Sequence, residues 1–347
     1  MESATDDEGA VSALHAWTKY RRSTGRRYCS RRYYSHGELT DDPKPLARNK
    51  ETIVKPTKHL ALIALFVAGL VSSTFATLAH AQTVETGLVK LADSNIEYFS
   101  RGAGEAIVLL PGGTLTVGYL DGLADELAKA GYRVVGINFR GSGRSTGSSE
   151  GVTLQTMADD VAGVIKALNL APAHVAGNDF GNRVARMLAA SHPDLTRSVI
   201  LLAAGGKIQP KPAAFLALEV IFTPTSTDAE ILAQMPYFVS NPADSAKIWA
   251  IFKLSRAPGA ASIEKAASES TPLSAWWAPP GDTKYLILQG AEDQIAPPEN
   301  GVELQKELGD RATLVNVQGA AHFLPLEQPG TTAAHVIDFI RALGSKP

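Results

Sequence analysis

Gly177-Asn178-Asp179-Phe180-Gly181 constrains this chain more than any other stretch. It follows the apolar run His174-Val175-Ala176 and opens a helical pattern from Asn182 to Ala189. It therefore predicts a strand, a sharp turn and a helix in succession, the setting of a nucleophile elbow. Such a turn holds its central residue at strained backbone angles, and a glycine on either side clears room for close backbone approach. The central side chain then projects from the end of a sheet. Here it is the carboxylate of Asp179, which points to attack on an electrophilic carbon and a covalent ester intermediate. The plainer role open to Asp179 is that of N-cap to the following helix.

Two more groups stand in the right order. Leu286-Ile287-Leu288-Gln289-Gly290 is a short buried-strand pattern running into Ala291-Glu292-Asp293. Ala312-Thr313-Leu314-Val315-Asn316-Val317 is another strand, followed by Gly319-Ala320-Ala321-His322. Nucleophile, acid and histidine thus each fall just past the carboxyl end of a strand, where open α/β sheets build their sites. His322 is the expected base that activates water, and Asp293 the acid that fixes its ring tautomer. Glu292 competes for the acid role. His174, His192 and His335 read as structural.

Strand-like runs occur at 87–92, 95–100, 106–110, 132–139, 173–178, 198–204, 284–289 and 312–317. Helical patterns intervene at about 117–130, 153–169, 180–191, 298–308 and 328–343. This alternation predicts an α/β fold: a mostly parallel eight-stranded sheet with helices on both faces. Asp93-Ser94-Asn95 reads as a hairpin that makes the first edge antiparallel. Between Gly205 and Asp282 the alternation gives way to four helical stretches punctuated by prolines, a helical cap at about 206–282. Its aromatic residues, Tyr237, Phe238, Trp249, Trp276 and Trp277, either pack it on the core or wall an apolar pocket.

From about Thr86 to Leu343 the chain resembles an α/β-hydrolase of the aspartate-nucleophile branch, the epoxide hydrolases and haloalkane dehalogenases. The likeness rests on the elbow and the Asp293 and His322 loops, with two further motifs. Ala106 to Gly113 is similar to the family's strand and oxyanion loop, with Pro111 where histidine is frequent. Tyr132 to Ser145 is similar to its next strand and Arg-Gly-x-Gly-x-Ser turn, whose Gly141 and Gly143 permit the backbone angles. The resemblance implies an oxyanion hole made by the amides of Gly113 and Phe180, donors that typically supply ~3 kcal/mol each. It also implies a lid acid for epoxide opening, for which Tyr237 is the candidate. Haloalkane dehalogenases carry side-chain donors at the two positions held here by Phe180 and Gly113, which have none, so dehalogenation is disfavoured. Asn178 stands where many relatives have histidine.

The front of the chain is different in kind. Leu60 to Val71 is an apolar core preceded by Lys55, Lys58 and His59, and a small-residue tract ends in Ala79-His80-Ala81. That is the pattern of a signal peptide at 58–81 cleaved after Ala81, with an uncleaved anchor as the alternative. Residues 1–57 have an Arg-rich run and little apolar periodicity, which predicts disorder. Translation starting near Val54 would make Val54 to His59 an ordinary n-region. Of the 33 basic and 35 acidic residues in the chain, 21 and 27 fall after Ala81, leaving a net charge near −6. Such a body disfavours nucleic acid and anionic membrane as partners. The one cysteine, Cys29, lies in the front, so residues 82–347 hold neither disulfide nor thiol.

No cluster has metal-ligand spacing and no Gly-rich loop fits a phosphate or dinucleotide, so neither metal nor cofactor is expected. The expectation is a periplasmic or secreted hydrolase acting on a small apolar molecule, an epoxide first. Another hydrolase of this fold, dehalogenase or esterase-like, and a ligand-binding relative without turnover remain as alternatives.

Overall fold

The computed structural model describes residues 83–344. The expected extension at 1–57 and the leader at 58–81 lie outside them. Nine strands form one sheet: β1 Glu85–Lys90, β2 Ser94–Arg101, β3 Ala106–Leu110, β4 Arg133–Ile137, β5 Thr146–Gly147, β6 Ala173–Asn178, β7 Thr196–Leu202, β8 Lys284–Gly290 and β9 Ala312–Val317. The spatial order is β1-β2-β4-β3-β6-β7-β8-β9, and β5 pairs with β2 off this path. β1 and β2 pair antiparallel, as do β2 and β4, and every pair from β4 to β9 is parallel. The eight strands expected from sequence form the main path. β5 was missed because two residues carry no readable period; they pair only because the preceding turn folds them back onto Ser94 and Asn95.

Alternation along each strand divides the core. In β3, Val108 and Leu110 face one apolar cluster while Ile107 and Leu109 face the other. The first cluster is closed by α2 (Leu154–Ala167), α3 (Phe180–Ser191) and α8 (Glu299–Leu308). The second is closed by α1 (Asp121–Lys129) and α10 (Pro329–Ala342), with α9 (Leu324–Glu327) just before it. Covered on both faces, the central strands can be apolar throughout, and all of β3 and β6 is buried. The order reverses at β3: the chain leaves it for β4 on one side and returns to β6 on the other. That reversal opens a crevice beyond the carboxyl ends of β3 and β6, where such sheets bind ligands.

Between β7 and β8 the chain forms α4 (Pro212–Phe222), α5 (Asp228–Gln234), α6 (Ser245–Leu254) and α7 (Ala261–Glu269), joined by short 3₁₀ turns. Two backbone bonds lace this cap to the loop after β3: Thr116 N donates to Ser255 O at 2.7 Å and Ala257 N to Thr114 O at 2.6 Å. The Arg140–Ser145 turn braces the same loop from the other side. Arg140 is buried and forks onto Asp160 at 2.7 and 2.9 Å, Ser142 Oγ donates to Leu115 O, and Asn138 accepts from Val117 N.

At the far end of the sheet His174 is fully buried, 2.7 Å from Ser198 Oγ. Its Nε2 lies 3.3 Å from Glu105 but off hydrogen-bond geometry. Burial lowers its pKa to about 4, against the opposing pull of Glu105. An unfolded histidine takes a proton near pH 6.5 and the folded one only near 4, so the unfolded state binds more protons in that window. Stability therefore falls on acidification from 6.5 to 4, on the order of 2–3 kcal/mol from this group. Urea unfolding should show the stability gap between wild type and His174→Asn narrowing by that amount over the window. A gap independent of pH would contradict a neutral buried imidazole.

Candidate active site

Asp179 sits at φ 44°, ψ −110°, a conformation L-residues avoid. The neighbouring glycines make it attainable. A Cβ on Gly177 would lie 2.3 Å from Gly181 O, and one on Gly181 would lie 2.7 Å from both Leu110 O and Pro111 O. The Asp179 side chain does not cap α3. Instead its Oδ2 accepts a 3.0 Å bond from Gly113 N, and about a third of the side chain remains exposed.

The loop after β3 presents three successive amides to three side chains. Gly112 N donates to Tyr119 Oη at 2.8 Å, Gly113 N to Asp179 Oδ2, and Thr114 N to Glu264 Oε2 at 2.7 Å. Thr114 is at φ 57°, so the loop turns through a left-handed residue, and successive amides exposed in such turns suit anionic oxygen. Tyr119 Oη in turn donates to Asn178 Oδ1 at 2.5 Å, and Asn178 Nδ2 donates to Leu202 O. Asn178 thus ties the elbow to the loop and to β7. Burial raises the Tyr119 hydroxyl far above its ordinary pKa, so it stays protonated. Phe180, the other oxyanion residue that the resemblance implies, begins α3. Its ring is buried edge-on to Phe139 at 5.7 Å.

His322 Nδ1 meets Asp293 Oδ2 at 3.0 Å, and its Nε2 faces Asp179 Oδ1 at 4.0 Å. The second distance is too long for a direct hydrogen bond and suits a bridging water. Asp293 is buried, with Oδ1 held by the amides of Ile295 and Ala296 at 2.8 Å each. Glu292 points elsewhere and clamps the histidine loop through the amides of Gly319 and Ala320. Burial alone would lower the His322 pKa; the charges of Asp293, then Asp179 and Glu327, outweigh it and raise the ring to about 8.

A cavity, partly open to solvent, lies over these groups. Gly112, Gly113, Asn178, Asp179 and His322 form its polar end, and Leu115, Leu218, Ile221, Phe222, Phe238, Phe252 and Phe323 its apolar walls. Small-molecule sites combine a few convergent polar groups with apolar walls in this way. Tyr237 is half-buried among apolar neighbours and does not line the cavity; Phe238 faces it instead. Trp276 and Trp277 pack against Arg186, away from the cavity. Among the described residues no group of three or more His, Cys, Asp or Glu is placed to hold a metal ion.

Sequence reasoning missed two residues. Tyr119 has no local mark, because its partner Asn178 is 59 positions away. Glu264 did leave one: it lies in the apolar stripe of α7 beside Ile263 and Ala267, where a charge belongs on the opposite face.

Residues 105–329 match the family model described as alpha/beta hydrolase fold. The chain is 26% identical over 270 residues to a 2-hydroxy-6-oxo-6-phenylhexa-2,4-dienoate hydrolase of Comamonas testosteroni, covering 72% of this chain and 93% of that one. Among solved structures, an esterase from Exiguobacterium antarcticum superposes with a TM-score of 0.63 at 18% identity, over 74% of this chain and 100% of the other. An E-2-(acetamidomethylene)succinate hydrolase superposes with a TM-score of 0.61 at 22% identity, over 75% and 100%.

Proposed function

The chain belongs to the α/β-hydrolase fold family, and we propose that it hydrolyses a small apolar epoxide through a covalent ester on Asp179. One observation carries this reading. The Gly113 amide, which in acyl transfer would receive the substrate's carbonyl oxygen, is occupied by Asp179's own Oδ2. A carbonyl substrate would have to displace it. A carboxylate nucleophile needs that arrangement: Oδ2 rests in the hole and carries the negative charge when water later attacks Cγ, while Oδ1 is free to attack carbon. An esterase of the serine type, esterase being an activity named among the solved neighbours, finds no serine at the elbow here.

Oδ1 displaces an epoxide oxygen from carbon and forms the ester. Water between Asp179 and His322 then loses a proton to Nε2 and attacks Cγ. His322 is more readily neutral, and so able to take a proton, at that moment, because esterification removes the Asp179 charge that helped to hold a proton on its ring. The apolar walls favour a hydrophobic substituent on the epoxide. The leader pattern at 58–81 and the cysteine-free, acidic remainder support an exported enzyme.

The origin of the product's new oxygen tests the scheme. In one turnover with enzyme in excess, in water labelled with oxygen-18, the diol should emerge unlabelled and the label should enter Asp179. Mass spectrometry of the peptide from Gly177 to Arg183 reads it. Label in the first diol formed would mean direct attack by water and would sink the nucleophile assignment.

A further inference from the structure

Epoxide opening leaves an alkoxide that needs a proton; neither Tyr237 nor Glu264 lines the cavity, but Glu264 lies against Gly113, which does, on the side that Asp179 also approaches. Glu264 is a carboxyl group beside the nucleophile that nothing above employs. It comes from the cap on α7, is 5% exposed, and meets the loop after β3 through its 2.7 Å bond from Thr114 N to Oε2. Its other oxygen, Oε1, is buried with no hydrogen-bond partner. An ionised carboxylate is ill suited to such a place, since an unpartnered buried charge costs several kcal/mol. A neutral acid fits it: Oε2 accepts from Thr114 N, which leaves the proton on Oε1.

Glu264 and Asp179 also approach the cavity-lining glycine from the same side. A methyl group on the Gly113 Cα would meet Glu264 Oε2 at 3.4 Å and Asp179 Oδ2 at 3.6 Å. Three ionisable groups face Glu264. Asp179 repels its charge, and so does Tyr119 if ionised. Arg183, held by Ser268 at 3.1 Å, opposes them. Burial, with Asp179 behind it, raises the Glu264 pKa to about 8.

We propose that Glu264 is the catalytic acid of this site, delivering the Oε1 proton to the alkoxide as Asp179 opens the ring. The inference rests on the Asp179 ester reading. In the first step the Asp179 Oδ1–carbon bond forms, the carbon–oxygen bond of the ring breaks, and the Glu264 proton passes to the freed oxygen, leaving glutamate. The same event neutralises Asp179 and so removes a charge that had held the proton on Glu264; the acid strengthens as it is needed. In the second step water adds to Cγ with His322 as base, and the departing alkoxide takes the proton back from His322. The proton released as Asp179 regains its charge restores Glu264. Atoms and charge balance to epoxide plus water giving diol. The cap therefore contributes chemistry as well as walls, and the strained Thr114 serves to present its amide to this acid.

The test measures ester formation alone, using styrene oxide as probe and the His322→Ala background to trap the adduct for intact-mass analysis. Glu264→Gln keeps an oxygen for Thr114 N but has no proton to give. It should slow ester formation by about 100-fold, the usual contribution of a placed acid. With Glu264 present the rate should fall as pH rises through about 8, where the acid ionises, and with Gln that limb should vanish. Ester formation at the unsubstituted rate, or slowing with the limb intact, overturns the proposal. So does Tyr237→Phe removing the limb while Glu264→Gln does not. Absence of any adduct in every variant instead brings down the Asp179 reading itself, and Glu264 with it for want of an alkoxide to protonate.

Discussion

Asp179→Ala should reduce epoxide turnover by on the order of 10⁶-fold, as loss of a nucleophile does, while His322→Ala should stop turnover after one covalent event. The two variants fail at different steps. Without Asp179 no oxygen stands at the elbow to attack carbon, and neither product nor adduct forms. Without His322 the carboxylate is still oriented by Gly113 N, and the Asp179 backbone amide still donates to Leu202 O. The ester then forms and persists, because water has lost its base. Intact mass should show an increment equal to one epoxide on His322→Ala and none on Asp179→Ala or the double variant. Full turnover by Asp179→Ala would leave the fold and the cavity standing and remove the proposed chemistry.

Asp293→Asn should lower the ester-hydrolysis rate by about 10⁴-fold, the scale seen when the buried carboxylate of a catalytic triad is replaced. The carboxylate accepts from His322 Nδ1 at 3.0 Å, which leaves Nε2 as the unprotonated nitrogen toward Asp179. Asparagine can instead donate to Nδ1 and stabilise the wrong tautomer. It also removes the largest charge opposing the effect of burial on His322, so the ring's pKa should fall from about 8. The base acts only when neutral, so its hydrolysis limb rises with pH. In the variant that limb should move to lower pH even as its plateau drops. Glu292→Gln should do neither, because Glu292 touches the loop amides and not the ring. A pH–rate profile of ester decay in single turnover separates the two. Equal losses from both substitutions would mean that the histidine loop, and not the triad geometry, had been broken.

The strand positions and their mostly parallel arrangement were legible along the chain, because the strands are short apolar runs between helical periods and each could be read locally. So was the elbow, since glycines at 177 and 181 are demanded by backbone contacts only a few residues apart. The placement of Asp293 and His322 followed from their positions just past strand ends, where chain order alone brings them to one edge. Local reading failed where the deciding contact was remote. The pairing of Thr146–Gly147 depends on strand β2 and on Arg140 buried against Asp160. That Asp293 meets the ring while Glu292 meets backbone amides depends on how the loop folds against the one bearing His322. Only the tertiary structure set Phe238, and not its neighbour Tyr237, against the cavity. It alone revealed Glu264, whose partner amide at Thr114 is 150 positions away. A hydrogen bond across that span has no trace in periodicity or spacing, because it exists only once the cap has folded back over the sheet.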